Sequence, residues 1–109
     1  MSFLKLLRRI LSPPRPKPIA FATVALRQDD PEADNIRRWH SLSDREQQVA
    51  ALSCLGYANL EIAQKLTIAD GTVKSHMANI RSKFNVHSKA ELRRRLSHWD
   101  FSGWDFHLI

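Results

Sequence analysis

The sequence has few of the residues that crosslink a small protein or break its helices. Its 109 residues include one cysteine and three glycines. A single cysteine cannot form an internal disulfide, so the fold must depend on a packed core. Cys54 lies in a helical pattern beside Ala50, Ala51 and Leu55, which indicates a small apolar packing residue. No apolar run reaches the ~18 residues of a membrane span. No signal-peptide pattern opens the chain, so the sequence indicates an intracellular, reducing location.

The signatures of catalysis and of metal binding are also missing. The sequence contains no glycine-rich phosphate loop, no Gly-x-Ser-x-Gly turn and no paired-carboxylate pattern. None of the five histidines forms a metal-binding motif with another histidine, a cysteine or a carboxylate. These histidines are His40, His76, His87, His98 and His107. We therefore expect no enzyme, no cofactor and no metal site.

Positive charge is the main feature of the composition. Lys and Arg number 17 against 11 Asp and Glu, which gives a formal net charge of +6. This balance favours an acidic partner, either nucleic acid or an anionic membrane surface, and does not choose between them. Residues 1–18 carry +5 and residues 41–99 carry +4, with an acidic stretch between them.

The first forty residues are predicted to be extensions of a single domain. Residues 1–12 form a basic amphipathic helix whose apolar stripe comprises Phe3, Leu4, Leu7, Ile10 and Leu11. Residues 13–40 form a linker that is first proline-rich and then acidic, with a helical segment from Glu32 to Trp39. A twelve-residue helix is marginal alone. Its stripe therefore needs an anionic membrane, a second copy of the chain or the chain's own tail as a partner, and protein contact is favoured over membrane.

Residues 41–99 are predicted to fold as an all-α domain of four helices. A capping box at Ser43 and Glu46 opens a helix from Asp44 to Leu55. This helix points Val49, Leu52 and Leu55 inward and ends at Gly56. A short helix follows from about Asn59 to Leu66, burying Ile62, Ala63 and Leu66.

A tight turn at residues 67–69 leads to a third helix from Asp70 to Phe84. A second capping box, Ser88 to Glu91, opens a fourth helix over residues 88–99 that carries Leu92, Leu96 and Trp99. Residues 100–109 contain more apolar and aromatic residues than is usual for a chain end. They are therefore predicted to fold back on the domain or to join an interface. Trp99, Trp104 and Phe106 are interpreted as packing residues.

The third helix has the pattern of a recognition helix. Its apolar residues share one narrow stripe that must face the core: Val73, Met77, Ile80 and Phe84. The opposite side holds only small or polar residues: Gly71, Thr72, Ser75, Ala78, Asn79 and Ser82. Small outward residues let a helix enter a major groove ~12 Å wide. Flanking cations then meet the phosphates: Lys74, His76, Arg81 and Lys83.

The segment from Leu42 to about Leu96 resembles the LuxR-type (GerE-like) helix-turn-helix domain of bacterial transcriptional regulators. The matching residues begin with Leu42 to Glu46 and continue through Gly56, Asn59, Glu61–Ala63, Leu66, Thr72–His76, Ile80, Lys83, Val86 and Ala90–Leu92. The resemblance implies that Lys74, Ser75 and Ala78 read base edges. It also implies that Asn59, Thr72, His76 and Lys83 lie near phosphates or support that surface, and Asn79 on the outward face joins them. Glu46 matches an acid that pairs within the fold.

The chain departs from this family at two helix starts. Ala58 and Ala69 stand where the family usually has hydroxyl residues, and we expect Asn59 and Asp70 to act as the caps instead. Ala78 offers only a methyl group to a base. The forty residues ahead of the motif are too few for a receiver or ligand-sensing domain.

The sequence therefore predicts a DNA-binding transcriptional regulator. Its partners would be double-stranded DNA, a second copy bound through helix 88–99, and RNA polymerase. The location would be the bacterial cytoplasm, associated with the nucleoid. Two alternatives stay open: a promoter-reading module like that of sigma factors, and a membrane-surface or protein-interaction adapter acting through helix 1–12. The arginines at 93–95 fit either a solvated face or phosphate contacts.

Overall fold

The computed structural model of the chain describes residues 30–105. Helix 1–12, the proline-rich stretch and Phe106 therefore lie outside the described residues. The described part has five α-helices and no β-strand, which confirms the all-α prediction. The helices are α1 (Pro31–Ser41), α2 (Asp44–Cys54), α3 (Asn59–Leu66), α4 (Asp70–Phe84) and α5 (Lys89–Arg95), followed by a 3-10 turn at Ser102–Trp104. None of these helices is long and apolar enough to cross a membrane.

The first two helices begin at side-chain caps. Asp30 accepts a 2.9 Å hydrogen bond from the amide of Glu32, and Pro31 occupies the first helical position of α1. Ser43 accepts from the amide of Glu46 at 3.2 Å, and the Glu46 carboxylate accepts from the amide of Ser43 at 2.8 Å. This reciprocal pair is the predicted capping box.

Helices α3 and α4 begin without a side-chain cap, so the expected caps at Asn59 and Asp70 were wrong. The capping positions are Ala58 and Ala69, which have no polar side-chain atom. Asn59 and Asp70 are instead the first helical residues, one position too late to accept from the N2 and N3 amides. In α3 the carboxylate of Glu61 still accepts from the Ala58 amide at 2.9 Å.

Helix α5 is shorter than the predicted 88–99. Ser88 accepts from the Glu91 amide at 3.0 Å, but the Glu91 carboxylate accepts from the amide of His87 at 2.7 Å. Only half of the second predicted capping box therefore forms. The helix ends at Arg95 and residues 96–98 continue as turns.

The stripe predicted for α4 lies at the centre of the core. Val73, Ile80 and Phe84 are fully buried, and Met77 nearly so. Leu55 was expected to point inward and instead stays 37% exposed. The physical reason is that α2 ends at Cys54, so Leu55 already belongs to the turn at Gly56, which has φ 104°.

An aromatic cluster joins α1 to the tail. The Trp39 ring lies 5.8 Å from Trp99, 5.7 Å from Phe101 and 5.6 Å from Trp104, centroid to centroid. All four residues are buried. As far as Asp105, the tail therefore folds back on the domain as predicted, and Trp99 and Trp104 are packing residues. The helical segment predicted from Glu32 to Trp39 within the linker is a helix in the structure, and it packs against the domain instead of only connecting to it.

Ionic contacts hold α1 against α4 and α5. The Arg95 guanidinium donates to Asp34 at 2.6 Å, to the Asn35 side chain at 2.7 Å and to the carbonyl of Phe84 at 2.8 Å. The guanidinium of Arg38 beside Asp34 lowers the pKa of that carboxyl below its usual 3.8, with Arg95 adding to the effect. One of the three arginines at 93–95 is therefore occupied inside the fold.

Candidate nucleic-acid interface

The outward face of α4 is built of small and polar side chains. Every residue predicted for this face is exposed: Gly71, Thr72, Ser75, Ala78, Asn79 and Ser82. At Gly71, an added Cβ would meet no atom within 4 Å. Because no long side chain covers this face, another molecule can approach the helix backbone closely.

The turn between α3 and α4 fixes the angle of that face. Thr67, the first residue of this turn, adopts a left-handed backbone conformation with φ 56°. The Ile68 amide then donates to the carbonyl of Ala63 at 3.0 Å. Ile68 packs against the core, and α3 packs against α4. The two helices therefore form the compact helix–turn–helix pair that the spacing predicts.

The structure brings the three predicted base-reading residues onto one exposed surface. Ser75 and Ala78 are solvent-accessible on the outward face of α4. Lys74 is also exposed, and its ammonium lies 3.2 Å from the carboxylate of Asp70, one helical turn earlier. This pair is an i,i+4 contact at the surface, where ion pairs contribute about 0.3–0.5 kcal/mol. Lys74 can therefore leave Asp70 at little cost.

The residues predicted to support or contact phosphates differ in their exposure and in their contacts. Thr72 and Asn79 are exposed beside the base-reading residues, and His76 is half-buried. Asn59 opens α3, where its side-chain oxygen accepts from the ammonium of Lys89 at 3.4 Å.

Lys83 is the predicted site residue that the structure ties most firmly into the fold. Its ammonium donates to Glu46 at 2.7 Å and to the carbonyl of Ser41 at 3.2 Å. Glu46 is only 5% exposed, so it is the buried acid that the sequence predicted to pair within the fold. Burial alone would raise the pKa of Glu46, but hydrogen bonds from Lys83 and from Ser43 hold it below its usual 4.5. The ammonium of Lys83 thus links α4 to the start of α2.

Sequence reasoning missed a basic groove beside the outward face. An open groove of about 160 Å³ lies between α3, α4 and α5 and is lined by Asn59, Lys74, Met77, Arg81 and Lys89. Lys89 also donates to the carbonyl of Tyr57 at 2.6 Å. Burial lowers the pKa of Lys89, and the nearby Arg93 lowers it further. The available signal was the spacing of Lys74, Met77 and Arg81, which places them on one flank of α4.

Metal ligands and the single thiol are the remaining groups of interest in residues 30–105. No group of three or more potential metal ligands occurs there. Burial raises the pKa of the Cys54 thiol to about 12, so this cysteine is an inert packing residue, as the sequence indicated.

Comparison with known proteins identifies the region. The family profile GerE, described as "Bacterial regulatory proteins, luxR family", matches residues 40–96. The oxygen regulatory protein NreC of Staphylococcus carnosus is 45% identical over 51 residues, which cover 47% of this chain and 24% of that protein. The response regulator protein TodT of Pseudomonas putida is 39% identical over 69 residues, which cover 62% of this chain and 30% of that protein.

The similarity to these relatives is confined to part of their length. The HTH-type transcriptional regulator MalT of Vibrio campbellii is 36% identical over 61 residues, which cover 56% of this chain but 7% of MalT. The chain thus spans less than a third of the curated relatives it matches. No solved structure gave a significant match.

Proposed function

The chain belongs to the luxR family of bacterial regulatory proteins, and we propose that it regulates transcription by binding a specific sequence of duplex DNA. Residues 40–96 form the LuxR-type helix-turn-helix domain that defines the family. Relatives that share this domain carry the names of regulatory proteins. Family and relatives alike indicate a DNA-binding regulator and not an enzyme.

The observation that carries the proposal is the outward face of α4. A helix can enter the major groove only if its outer side chains are short. Here the residues at the centre of the face are Gly71, Ser75 and Ser82, all exposed. Lys74 at the edge of this face would donate to a guanine, and Ala78 would offer its methyl group to that of a thymine.

We further propose that the protein binds as a dimer through residues 88–99, that RNA polymerase is a further partner, and that the protein is associated with the bacterial nucleoid. A two-fold dimer would place two copies of α4 in successive major grooves, about 34–36 Å apart. The exposed Arg93 and Arg94 leave α5 a basic outer surface.

Selection of bound duplexes from a random pool, followed by sequencing, tests DNA recognition and dimer geometry together. A symmetric enriched motif would support both, a single asymmetric motif would refute the dimer, and no enrichment would refute specific recognition. If each protomer neutralises about three phosphates, a salt titration should give a log–log slope of roughly −3 for a monomer and twice that for a dimer. A slope near zero would contradict the electrostatic argument.

Substitutions on the two faces of α4 separate recognition from folding. Ser75→Glu places a carboxylate against the phosphate-lined groove, so we expect specific binding to be lost while the fold persists. Lys74→Ala should act in the same direction. Val73→Asp, at a position with 0% exposure, should unfold the domain instead. Specific binding by Ser75→Glu at the parent's affinity would show that the recognition face is wrongly assigned.

A further inference from the structure

The groove beside α4 has a positively charged lining. Three elements meet around it, since Asn59 comes from α3, Lys89 from α5, and Lys74, Met77 and Arg81 from α4. Three of these five lining residues are cations and none is an acid. A groove with this lining attracts an anion.

The three cations of the groove differ in how far they are already engaged. Lys74 pairs with Asp70 at 3.2 Å. Lys89 donates to the carbonyl of Tyr57 at 2.6 Å and to Asn59 at 3.4 Å. The Arg81 side chain has no carboxylate partner within residues 30–105, and its one hydrogen bond there is a 3.4 Å contact from Nε to the carbonyl of Met77 in its own helix. The two terminal nitrogens of its guanidinium are therefore left to bind a ligand.

The chemistry of the lining restricts the ligand. The groove is open, has a volume of about 160 Å³, and its cationic donors are two ammonium groups and one guanidinium. A planar fork of N–H donors matches a phosphate well.

The position of the groove indicates which molecule would supply that phosphate. Lys74, Met77 and Arg81 follow one another at intervals of three and four residues, so they share one flank of α4, next to its outward face. When a helix lies in the major groove, its flanks face the sugar–phosphate backbone. We propose that this groove binds one backbone phosphate of duplex DNA, with Arg81 as its principal donor.

This proposal rests on DNA binding by the same domain and adds a site to it. A phosphate contact carries no sequence information by itself. Arg81 therefore contributes affinity and register on the duplex, whereas the residues at the centre of the outward face contribute base preference. Lys89 would add a second, weaker contact from α5.

The test compares the full chain with Arg81→Gln on two duplexes of equal length, one carrying the motif enriched by selection and one lacking it. The salt dependence of binding is measured for each. Losing one phosphate contact should make the log–log slope shallower by about 0.9 per protomer. Between about 50 and 200 mM salt, the parent should then lose about threefold more affinity per protomer than the variant. Both duplexes should be affected equally.

Matched variants keep this test decisive. Arg37→Gln removes the same charge from an exposed arginine on α1 and should leave the slope unchanged. Arg81→Lys keeps the charge and should restore the slope. Arg81→Met keeps the apolar stem beside Met77 and should make the slope shallower by the same amount, so the test still holds if glutamine disturbs the fold.

Two results would overturn the phosphate site. Equal slopes for Arg81→Gln and Arg37→Gln would show that Arg81 touches no phosphate. A loss confined to the motif duplex would show that Arg81 reads a base instead. A parent chain that binds neither duplex would refute DNA binding itself, which is a different outcome from either of these.

Discussion

Replacing Trp39 tests whether α1 belongs to the folded domain. The side chain is 1% exposed and its ring contacts Trp99, Phe101 and Trp104 at centroid distances of 5.6 to 5.8 Å. Truncating a buried tryptophan to alanine costs about 3–5 kcal/mol, because burial is lost and a cavity remains. Edge-to-face aromatic pairs of this kind each add about 0.5–1.5 kcal/mol beyond their buried area.

That loss is large for a domain of this size. Residues 30–105 make a unit of 76 residues, for which a total stability of about 4–11 kcal/mol is expected. Trp39→Ala should therefore remove from about a quarter to all of that stability. Trp39→Phe is the matched control, because the indole N–H has no hydrogen-bond acceptor within residues 30–105. The control keeps an aromatic ring and should cost much less.

Urea denaturation followed by tryptophan fluorescence is the suitable assay, because all three tryptophans of the chain lie in this cluster. With a slope of about 1–1.5 kcal/mol per M, Trp39→Ala should lower the midpoint by about 2–5 M. Circular dichroism at matched urea concentrations shows whether helices are lost together with the cluster. A midpoint as high as that of Trp39→Phe would refute the assignment of α1 to the core.

Two truncations test at which residue the folded domain begins. A chain of residues 30–109 keeps α1 and should fold cooperatively. A chain of residues 41–109 lacks Trp39 and the Asp34 partner of Arg95, so it should not. Equal midpoints for the two would restore the boundary at residue 41 that the sequence predicts. Failure of the longer truncation would instead extend the core into residues 1–29.

Three further predictions follow from the caps and the titrating groups. Because the pKa of Glu46 is depressed in the folded state, its stabilising effect is complete above its unfolded value of 4.5 and is lost as the pH falls through the lower folded value. Lys83→Met should lower stability by about 2 kcal/mol at pH 7 and flatten this acid dependence, measured by urea denaturation from pH 7 downward. Ala69→Ser should stabilise α4 by about 1 kcal/mol, whereas Ala90→Ser inside α5 should not. The Cys54 thiol, with a pKa raised to about 12, should react with a thiol reagent at pH 8 only after urea unfolds the chain.

The bounds of α2, α3 and α4 could be predicted to within one residue because they depend on local signals, whereas α5 ends earlier than predicted. Ser43 and Glu46 are three residues apart and make the capping box. Gly56 takes the left-handed conformation that ends the preceding helix region. The stripe on α4 is buried as its spacing predicts, since periodicity is decided within a few turns of one helix. For the same reason the outward face could be predicted before any fold was known.

The contacts of α1 could not be predicted because their partners are distant in sequence. The Asp34–Arg95 ion pair joins residues 61 positions apart, and the hydrogen bond from Trp99 to Glu32 spans 67. His98 contacts the same carboxylate of Glu32. No periodic pattern links such positions, so the helical segment from Glu32 to Trp39 was placed in an acidic linker and not in the packed domain. The run at 93–95 likewise gave no sign that Arg95 turns inward while Arg94 stays exposed.

Two helices at the proposed DNA-binding surface, α3 and α4, lack the side-chain caps with which helices usually begin. Asp30, Ser43 and Ser88 cap α1, α2 and α5 through their own side chains. Helices α3 and α4 start at Ala58 and Ala69 and have no such acceptor. Each missing cap costs about 1 kcal/mol of stability, so the chain is less stable than it would be with capping residues in place of the two alanines. Without a capping side chain, first-turn amides of α3 and α4 have no side-chain acceptor. An amide in that position can donate to water or to an anion from outside the chain. Adding a serine at Ala69 would therefore stabilise the domain, because it supplies a side-chain acceptor to the first turn of α4.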